Sequence, residues 1–206
     1  MFDRRQFLIH LHAVGVAAGI PVLGVRRVDG SEVDAHPAAP LTREELLEVL
    51  DQKARESLGP AGNCAQASFA VLQEQFGLPG EAIHRGLSTF PGIGFTGKTC
   101  GAVVGSMMAL NLKFGYSAGD EPAVRRKAYL KAQELIRRFE EARGTTTCSG
   151  IHEQAAGRWH NLMDAAEAQA YGEAGGPEAC RTAVATGVRI AAELILDEPS
   201  AAGNPG

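Results

Sequence analysis

From residue 42 to residue 196 the chain repeats one pattern: a capping residue, a run with apolar positions at helical spacing, then a glycine. Thr42 opens TREELLEVLDQKARESL as a capping box, its hydroxyl serving the amide three residues on while Glu45 reaches back. Leu46, Leu47, Val49 and Leu50 follow as an apolar face, and Gly59-Pro60 ends the segment. Asn63 caps a second helix over 63–76, with Gly77 just past its end. A short helix near 79–88 leads into the glycine loop FPGIGFTGK. Thr99 then caps a helix over 100–114 that stops at Gly115. Residues 120–143 make a long amphipathic helix with Ala128, Leu135, Ile136 and Phe139 inward. GTTTCSG is a loop, and 161–171 and 177–196 supply the last two helices. No stretch alternates apolar and polar residues over five or more positions, so no strand is expected. The expected fold is all-α, a bundle of about six helices joined by glycine-rich loops.

A chain of 206 residues, 45% hydrophobic, can bury a core that does not depend on disulfides. Its net charge of −4, with no basic stripe, argues against a nucleic-acid partner. Ahead of the helices stands MFDRRQFLIHLHAVGVAAGIPVLGV, a charged start followed by an apolar stretch. Arg4-Arg5-x-Phe7-Leu8 resembles the twin-arginine export signal. Gly15, Gly19, Pro21 and Gly24 make the apolar stretch a poor permanent anchor, and Val33-Asp34-Ala35 offers small or apolar residues for a cut after Ala35. The processed protein is therefore expected to lie beyond the cytoplasmic membrane, in the periplasm or on the membrane's outer face, and not to stay as a membrane protein. The twin-arginine route resembles one that carries folded proteins, often with a cofactor already inserted. That raises the weight of a metal or redox cofactor without naming one.

The chemistry lies with four cysteines, Cys64, Cys100, Cys148 and Cys180. None forms a C-x-x-C pair, which excludes the usual zinc-finger spacing, the thioredoxin motif and covalent c-type haem. Any site they build is assembled by the tertiary fold. Cys64 follows the cap Asn63 and Cys100 follows the cap Thr99, so each is expected at the first position of a helix. Free amides and the positive end of the dipole favour a thiolate there. Cys148 falls in the glycine- and threonine-rich loop, and Cys180 in the first turn of the last helix, after Pro177. An even cysteine count in an exported chain is equally the mark of structural disulfides.

The helix that begins at Cys100 carries Gly101, Gly105 and Ala109 every four residues, on one face. Glycine inside a helix costs about 1 kcal/mol relative to alanine, so close approach of another backbone, or of a ligand or partner thiol beside Cys100, is expected. His152 and His160 flank the segment after Cys148, and His84 is expected to be solvated.

The segments NCAQAS, TCGAVVGSMMALNLKFG, a third lone cysteine, and EACRTAVATGVRIAAELI together resemble the redox-active C_GCAxxG_C_C family, over roughly residues 55–196. The motif stands here as Cys100-Gly101-Ala102-Val103-Val104-Gly105, preceded by the glycine loop PGIGFTGKT. The resemblance carries the family's cysteines onto Cys64, Cys100, Cys148 and Cys180. One block departs: members usually show a leucine pair after the third cysteine, where this chain has Ser149, Gly150, Ile151 and His152. His152 is thereby a candidate extra ligand or base. The domain is also similar to part of the split-Soret cytochromes, which carry an iron–sulfur centre beside their haems; with no haem-attachment motif, only the cysteine part transfers.

The expected organisation is an export signal over 1–35, a four-cysteine helical redox domain over 36–198 and a disordered tail over 199–206. The leading expectation is an exported electron-transfer protein associated with oxidoreductase chemistry, its four cysteines ligating an iron–sulfur cluster, with Cys64 and Cys100 as the reactive pair and a redox protein as partner. Two alternatives stand beside it: a metal-free dithiol/disulfide exchange protein, and a non-redox helical module braced by disulfides.

Overall fold

A computed structural model describes residues 41–59 and 63–198. The expected export signal, its cut after Ala35 and the tail over 199–206 lie outside the described residues. Among the described residues the chain forms nine helices and no strand: α1 (Arg43–Ser57), α2 (Cys64–Phe76), α3 (Glu81–Gly86), α4 (Gly92–Phe95), α5 (Gly101–Phe114), α6 (Pro122–Arg143), α7 (Cys148–Ala156), α8 (Ala165–Glu173) and α9 (Gly176–Leu196). The all-α reading holds. The helices beyond the expected half-dozen are short, and α7 replaces part of the expected loop GTTTCSG. Thr147 is an N-cap there, its hydroxyl accepting the Gly150 amide at 3.0 Å.

Local signals behave as physical chemistry requires. The capping box at α1 is complete, with the Thr42 amide on Glu45 at 2.7 Å and the Glu45 amide on the Thr42 hydroxyl at 3.3 Å. α2 ends at Gly77 with φ +60°, a conformation that costs a side chain dearly. Two inward assignments are corrected: Val49 is 39% and Ile136 41% exposed. Both sit one residue beside a narrower stripe, Leu47–Leu50–Ala54 on α1 and Ala128–Leu135–Phe139 on α6, and one residue turns a helix by about 100°.

The core is built on α2, α5 and α9, each packed on the other two, with α1 against α2 and α9, and α6 against α5 and α9. Small residues set the spacing. A Cβ on Gly105 would overlap the Ala65 carbonyl oxygen and come within 3.1 Å of the Phe69 nitrogen. A Cβ on Gly187 would stand 2.8 Å from Ser106 Oγ and 3.0 Å from the Ala102 oxygen. Helix axes this close bring the starts of α2 and α5 together. No helix among the described residues is long and apolar enough to cross a membrane.

Candidate functional site

Backbone hydrogen bonds, not sequence proximity, place the cysteines. The strand-like segments before α5 and α7 run antiparallel, with Thr99 bridged to Thr147. The Cys100 amide donates to the Thr146 oxygen at 2.8 Å, the Cys148 amide to the Lys98 oxygen at 2.7 Å and the Ser149 amide to the Gly97 oxygen at 3.0 Å. Two helix starts, each with a cysteine, are thereby clasped side by side. Glycines make room for the clasp. A Cβ on Gly92 (φ +54°) would stand 3.0 Å from Cys148 Cβ and 3.1 Å from its sulfur. In the same loop Ile93 and Phe95 hold φ of +50° and +55°, a region side chains avoid and that costs on the order of 1–3 kcal/mol per residue.

The start of α2 is tied to the same end of the bundle. Asn63 Oδ1 accepts the Gln66 amide at 2.9 Å, while Asn63 Nδ2 donates to the Ser88 oxygen and Gln66 Nε2 to the His84 oxygen, both at 2.9 Å. Cys64, first residue of α2, sets its sulfur against Gly101, where a Cβ would overlap it. Cys64 and Cys100 are buried, at 6% and 4% exposure, and each acts on the titration of the other. The hydrogen bond from Cys64 holds the Cys100 pKa below that of an ordinary thiol, and the Ala102 and Val103 amides and the charge of Arg143 add to this against the cost of burial. Cys64 is driven the opposite way, well up, first by the same bond and then by burial and the neighbouring sulfurs. The pair is thus one prospective thiolate and one thiol that keeps its proton.

The structure corrects the expected positions. Cys100 is not the first residue of its helix but its N-cap, one place earlier. An N-cap side chain faces the amides of the second and third helical residues, here Ala102 and Val103. No tight cap hydrogen bond closes on the large sulfur, yet those amides are directed at it and favour its anion. Cys148 is the first residue of α7 and not a loop residue. Cys180 lies one turn inside α9, past its first turn, because the helix begins at Gly176.

A second group of side chains surrounds Cys148 and Cys180. Cys148 Sγ and His152 Nε2, one helical turn apart on α7, are 3.7 Å from each other. His152 is fully buried and stacked between Trp159 and Tyr171, at centroid distances of 4.5 and 3.9 Å. The Tyr171 hydroxyl meets Cys180 Sγ at 3.3 Å. Gly176 admits the Tyr171 ring, which any Cβ there would overlap. Burial pushes the Cys148 thiol up and the His152 imidazole down to about 4, so both stay neutral at pH 7. Burial also raises Cys180, with the Tyr171 hydrogen bond opposing it, and raises Tyr171 itself, so that its hydroxyl stays protonated and able to donate. Tyr171 and Trp159 carried no sequence signal: each is a lone aromatic recruited by tertiary packing.

All four cysteines are free thiols. The charge of Cys100 acts on each of the other three, so they share one neighbourhood. Among the described residues, however, no three Cys, His, Asp or Glu side chains are grouped so as to hold a metal ion. His160 is buried, its Nδ1 3.3 Å from a Glu167 carboxylate oxygen, and it lies beside Tyr171. His84 sits on α3, partly exposed.

The family model described as "Putative redox-active protein (C_GCAxxG_C_C)" matches residues 62–194, a span that holds all four cysteines. The chain belongs to this family. The clasp brings two of these cysteines, Cys100 and Cys148, side by side although they are distant in sequence. A search of curated proteins and of solved structures found no match to the chain.

Proposed function

We propose that the protein is an exported thiol redox protein in which Cys64 and Cys100 cycle between dithiol and disulfide. The observation that carries this reading is the buried pair itself, Cys64 opening α2 with its sulfur against Gly101 and Cys100 standing next to that glycine as the N-cap of α5. That is the arrangement thiol–disulfide exchange uses, because a thiolate attacks and a second thiol resolves the mixed disulfide. One sulfur of a partner disulfide is passed to the buried Cys100 thiolate as a mixed disulfide, and the other sulfur leaves as thiolate. Cys64 then loses its proton, attacks Cys100 Sγ and expels the second partner thiolate. Two electrons pass from Cys64 and Cys100 to the redox partner, whose two sulfurs leave as thiols. The matching test is mass mapping of alkylated protein after equilibration in buffers of graded redox potential. A Cys64–Cys100 disulfide is expected; a first disulfide elsewhere overturns the reading.

A second reading, an iron–sulfur cluster on Cys64, Cys100, Cys148 and Cys180, is favoured by the convergence of four thiols from four elements. Such a cluster supplies one-electron transfer. The donor set fits in kind but not in arrangement, since the sulfurs do not surround a common point. Iron and sulfide analysis and visible absorption of anaerobically purified protein decide between the two. The export part of the reading rests on Arg4 and Arg5. Replacement of both by Lys is expected to retain the protein in the cytoplasm.

A further inference from the structure

Of the four thiols, Cys64, Cys100 and Cys148 are buried, and only Cys180 is partly exposed. The thiol best prepared to attack is therefore not the thiol a substrate meets. Cys180 and Tyr171 form part of the wall of a cavity of about 930 Å³. That volume suits a small molecule, since ligand pockets run from about 300 to 1,000 Å³. Leu58, Phe95, Leu162 and Met163 give it apolar walls, and Met163 is 74% exposed. Its charged residues come in both signs, Arg55 and Arg181 interleaved with Glu56 and Glu178. Glu178 is shared, 3.4 Å from Arg55 and 3.3 Å from Arg181, distances long enough for either guanidinium to turn to a carboxylate of a ligand.

We propose that this cavity seats a small zwitterionic disulfide and that Cys180 is the thiol through which it exchanges with the buried Cys64–Cys100 pair. The proposal rests on the dithiol reading above. Balanced charges on the rim match a molecule that carries both ammonium and carboxylate groups, and the apolar floor matches its disulfide. The Tyr171 hydroxyl at 3.3 Å donates to the sulfur as charge develops on it. Cys180 packs from α9 against the core cluster that holds Cys64 and Cys100, so the buried pair lies on its inner side.

The exchange balances. Cys180 thiolate attacks the bound disulfide; its S–S bond breaks, one half leaves as thiolate and takes a proton from water, and a mixed disulfide forms on Cys180. Cys100 thiolate attacks the Cys180 sulfur and expels the second half as thiolate. Cys64 gives up its proton and attacks Cys100 Sγ, which expels Cys180 as thiolate beneath Tyr171. One disulfide is reduced to two thiols, and Cys64 and Cys100 are oxidised to one disulfide. Tyr171 is a positioning residue here.

The test uses the reduced full-length protein with cystine as probe, hydroxyethyl disulfide as a neutral control and a disulfide-bonded polypeptide as a third arm. In Cys100→Ser the cystine half is expected to be trapped on Cys180. In Cys180→Ser the rate with cystine falls at least about tenfold, while the Cys64–Cys100 disulfide at equilibrium in a redox buffer is unchanged. Arg181→Gln raises KM for cystine and leaves hydroxyethyl disulfide unaffected. Tyr171→Phe keeps the ring stacked on His152 and moves the pH profile of adduct formation to higher pH. The charges facing Cys180 in that profile are Cys100, Arg181 and Arg143, all retained in the variant. Adduct on Cys64 or Cys148, an unslowed Cys180→Ser, or faster reaction with the polypeptide than with cystine each overturns the proposal. Failure of the dithiol reading looks different: Cys180 is modified, yet no Cys64–Cys100 disulfide forms at any redox poise.

Discussion

Cys100 and Cys148 face each other across one backbone clasp, each at the start of a helix, yet their thiols are pushed in opposite directions. Cys100 is an N-cap, so its sulfur faces the Ala102 and Val103 amides and accepts the Cys64 hydrogen bond. Cys148 is one position further in, where the cap is Thr147 and the hydroxyl of that residue takes the free amide. Its sulfur turns instead to a neutral, buried imidazole and gains nothing to offset desolvation. Proximity to a helix N-terminus is therefore insufficient. The sulfur has to occupy the capping position itself, and a shift of one residue decides whether the dipole and free amides act on it.

The largest effect that sharpens this contrast is chemical. Cys100→Ser is expected to abolish the internal disulfide and to lower disulfide turnover at least about a hundredfold, because a serine hydroxyl neither ionises near pH 7 nor exchanges with disulfides. Cys148→Ser is expected to leave turnover within about twofold. Stopped-flow rates with a small disulfide measure both, and far-ultraviolet circular dichroism checks that helical content is retained. Equal losses in the two variants would erase the distinction between the two thiols.

The next effect concerns stability and separates the two ways in which glycine serves the site. Gly105 abuts backbone, the Ala65 carbonyl and the Phe69 amide, and backbone cannot step aside. Gly105→Ala is expected to cost about 2–3 kcal/mol by forcing α2 and α5 apart. Gly176 abuts the Tyr171 ring, a side chain that can tilt. Gly176→Ala is expected to cost about 1 kcal/mol or less, because alanine is also the better helix former. Urea denaturation reads both values, and a reversal of their order would place the rigid contact on the aromatic side.

This difference also marks what the sequence made legible. The bundle was readable, since caps such as Thr42 and Asn63 and stops such as Gly77 act within a few residues of themselves. The four cysteines were readable as a set, and the face Gly101–Gly105 as a close approach. Cap identity at α5 was not, because Thr99 and Cys100 are adjacent and the antiparallel bridge from Thr99 to Thr147 decides which of them the helix leaves as cap. Nor was the start of α7, since Cys148-Ser149-Gly150 follow three threonines in a segment of loop composition and yet open a helix capped by Thr147. Tyr171 over Cys180 is a contact between helices that no periodicity encodes.

The aromatic side makes its own prediction in pH. His152 has its pKa pushed from 6.5 down to about 4 by burial, with the charge of His160 adding to this. Between those values the unfolded chain binds a proton that the folded one excludes. Stability is therefore intact above about pH 6.5 and is lost as pH falls toward 4, by roughly 1–3 kcal/mol. The depressed carboxylates Glu45, Glu134, Glu167 and Glu198 act at lower pH, as pH falls through and below the ordinary carboxylate value of 4.5. His152→Phe keeps a ring between Trp159 and Tyr171 and removes the titration, so its stability between pH 6.5 and 4 is expected to be flatter than that of the unaltered protein. Parallel curves in denaturant titrations across that window would mean that His152 is not the group responsible.

The smallest expected effect belongs to Arg143, the last residue of α6, held in place by the left-handed Gly144 that follows it. Its Nε is buried with no hydrogen-bond partner among the described residues, and its charge favours the anions of Cys100 and Cys180. A buried donor without an acceptor is costly, and a thiolate nearby is the species that offsets the cost. Arg143→Gln removes the charge and keeps a polar side chain of similar reach. The Cys100 thiolate absorbance near 240 nm is expected to appear at a pH higher by roughly half a unit, a shift small beside the loss of the residue-64 donor in Cys64→Ala because Coulomb attraction at a distance is weaker than direct hydrogen bonding. The Cys148 thiol, on which Arg143 has no resolved influence, is expected to keep its behaviour. If Arg143→Gln moved the Cys100 transition further than Cys64→Ala does, the electrostatics of α6 and not the neighbouring thiol would be what separates Cys100 from the other three cysteines.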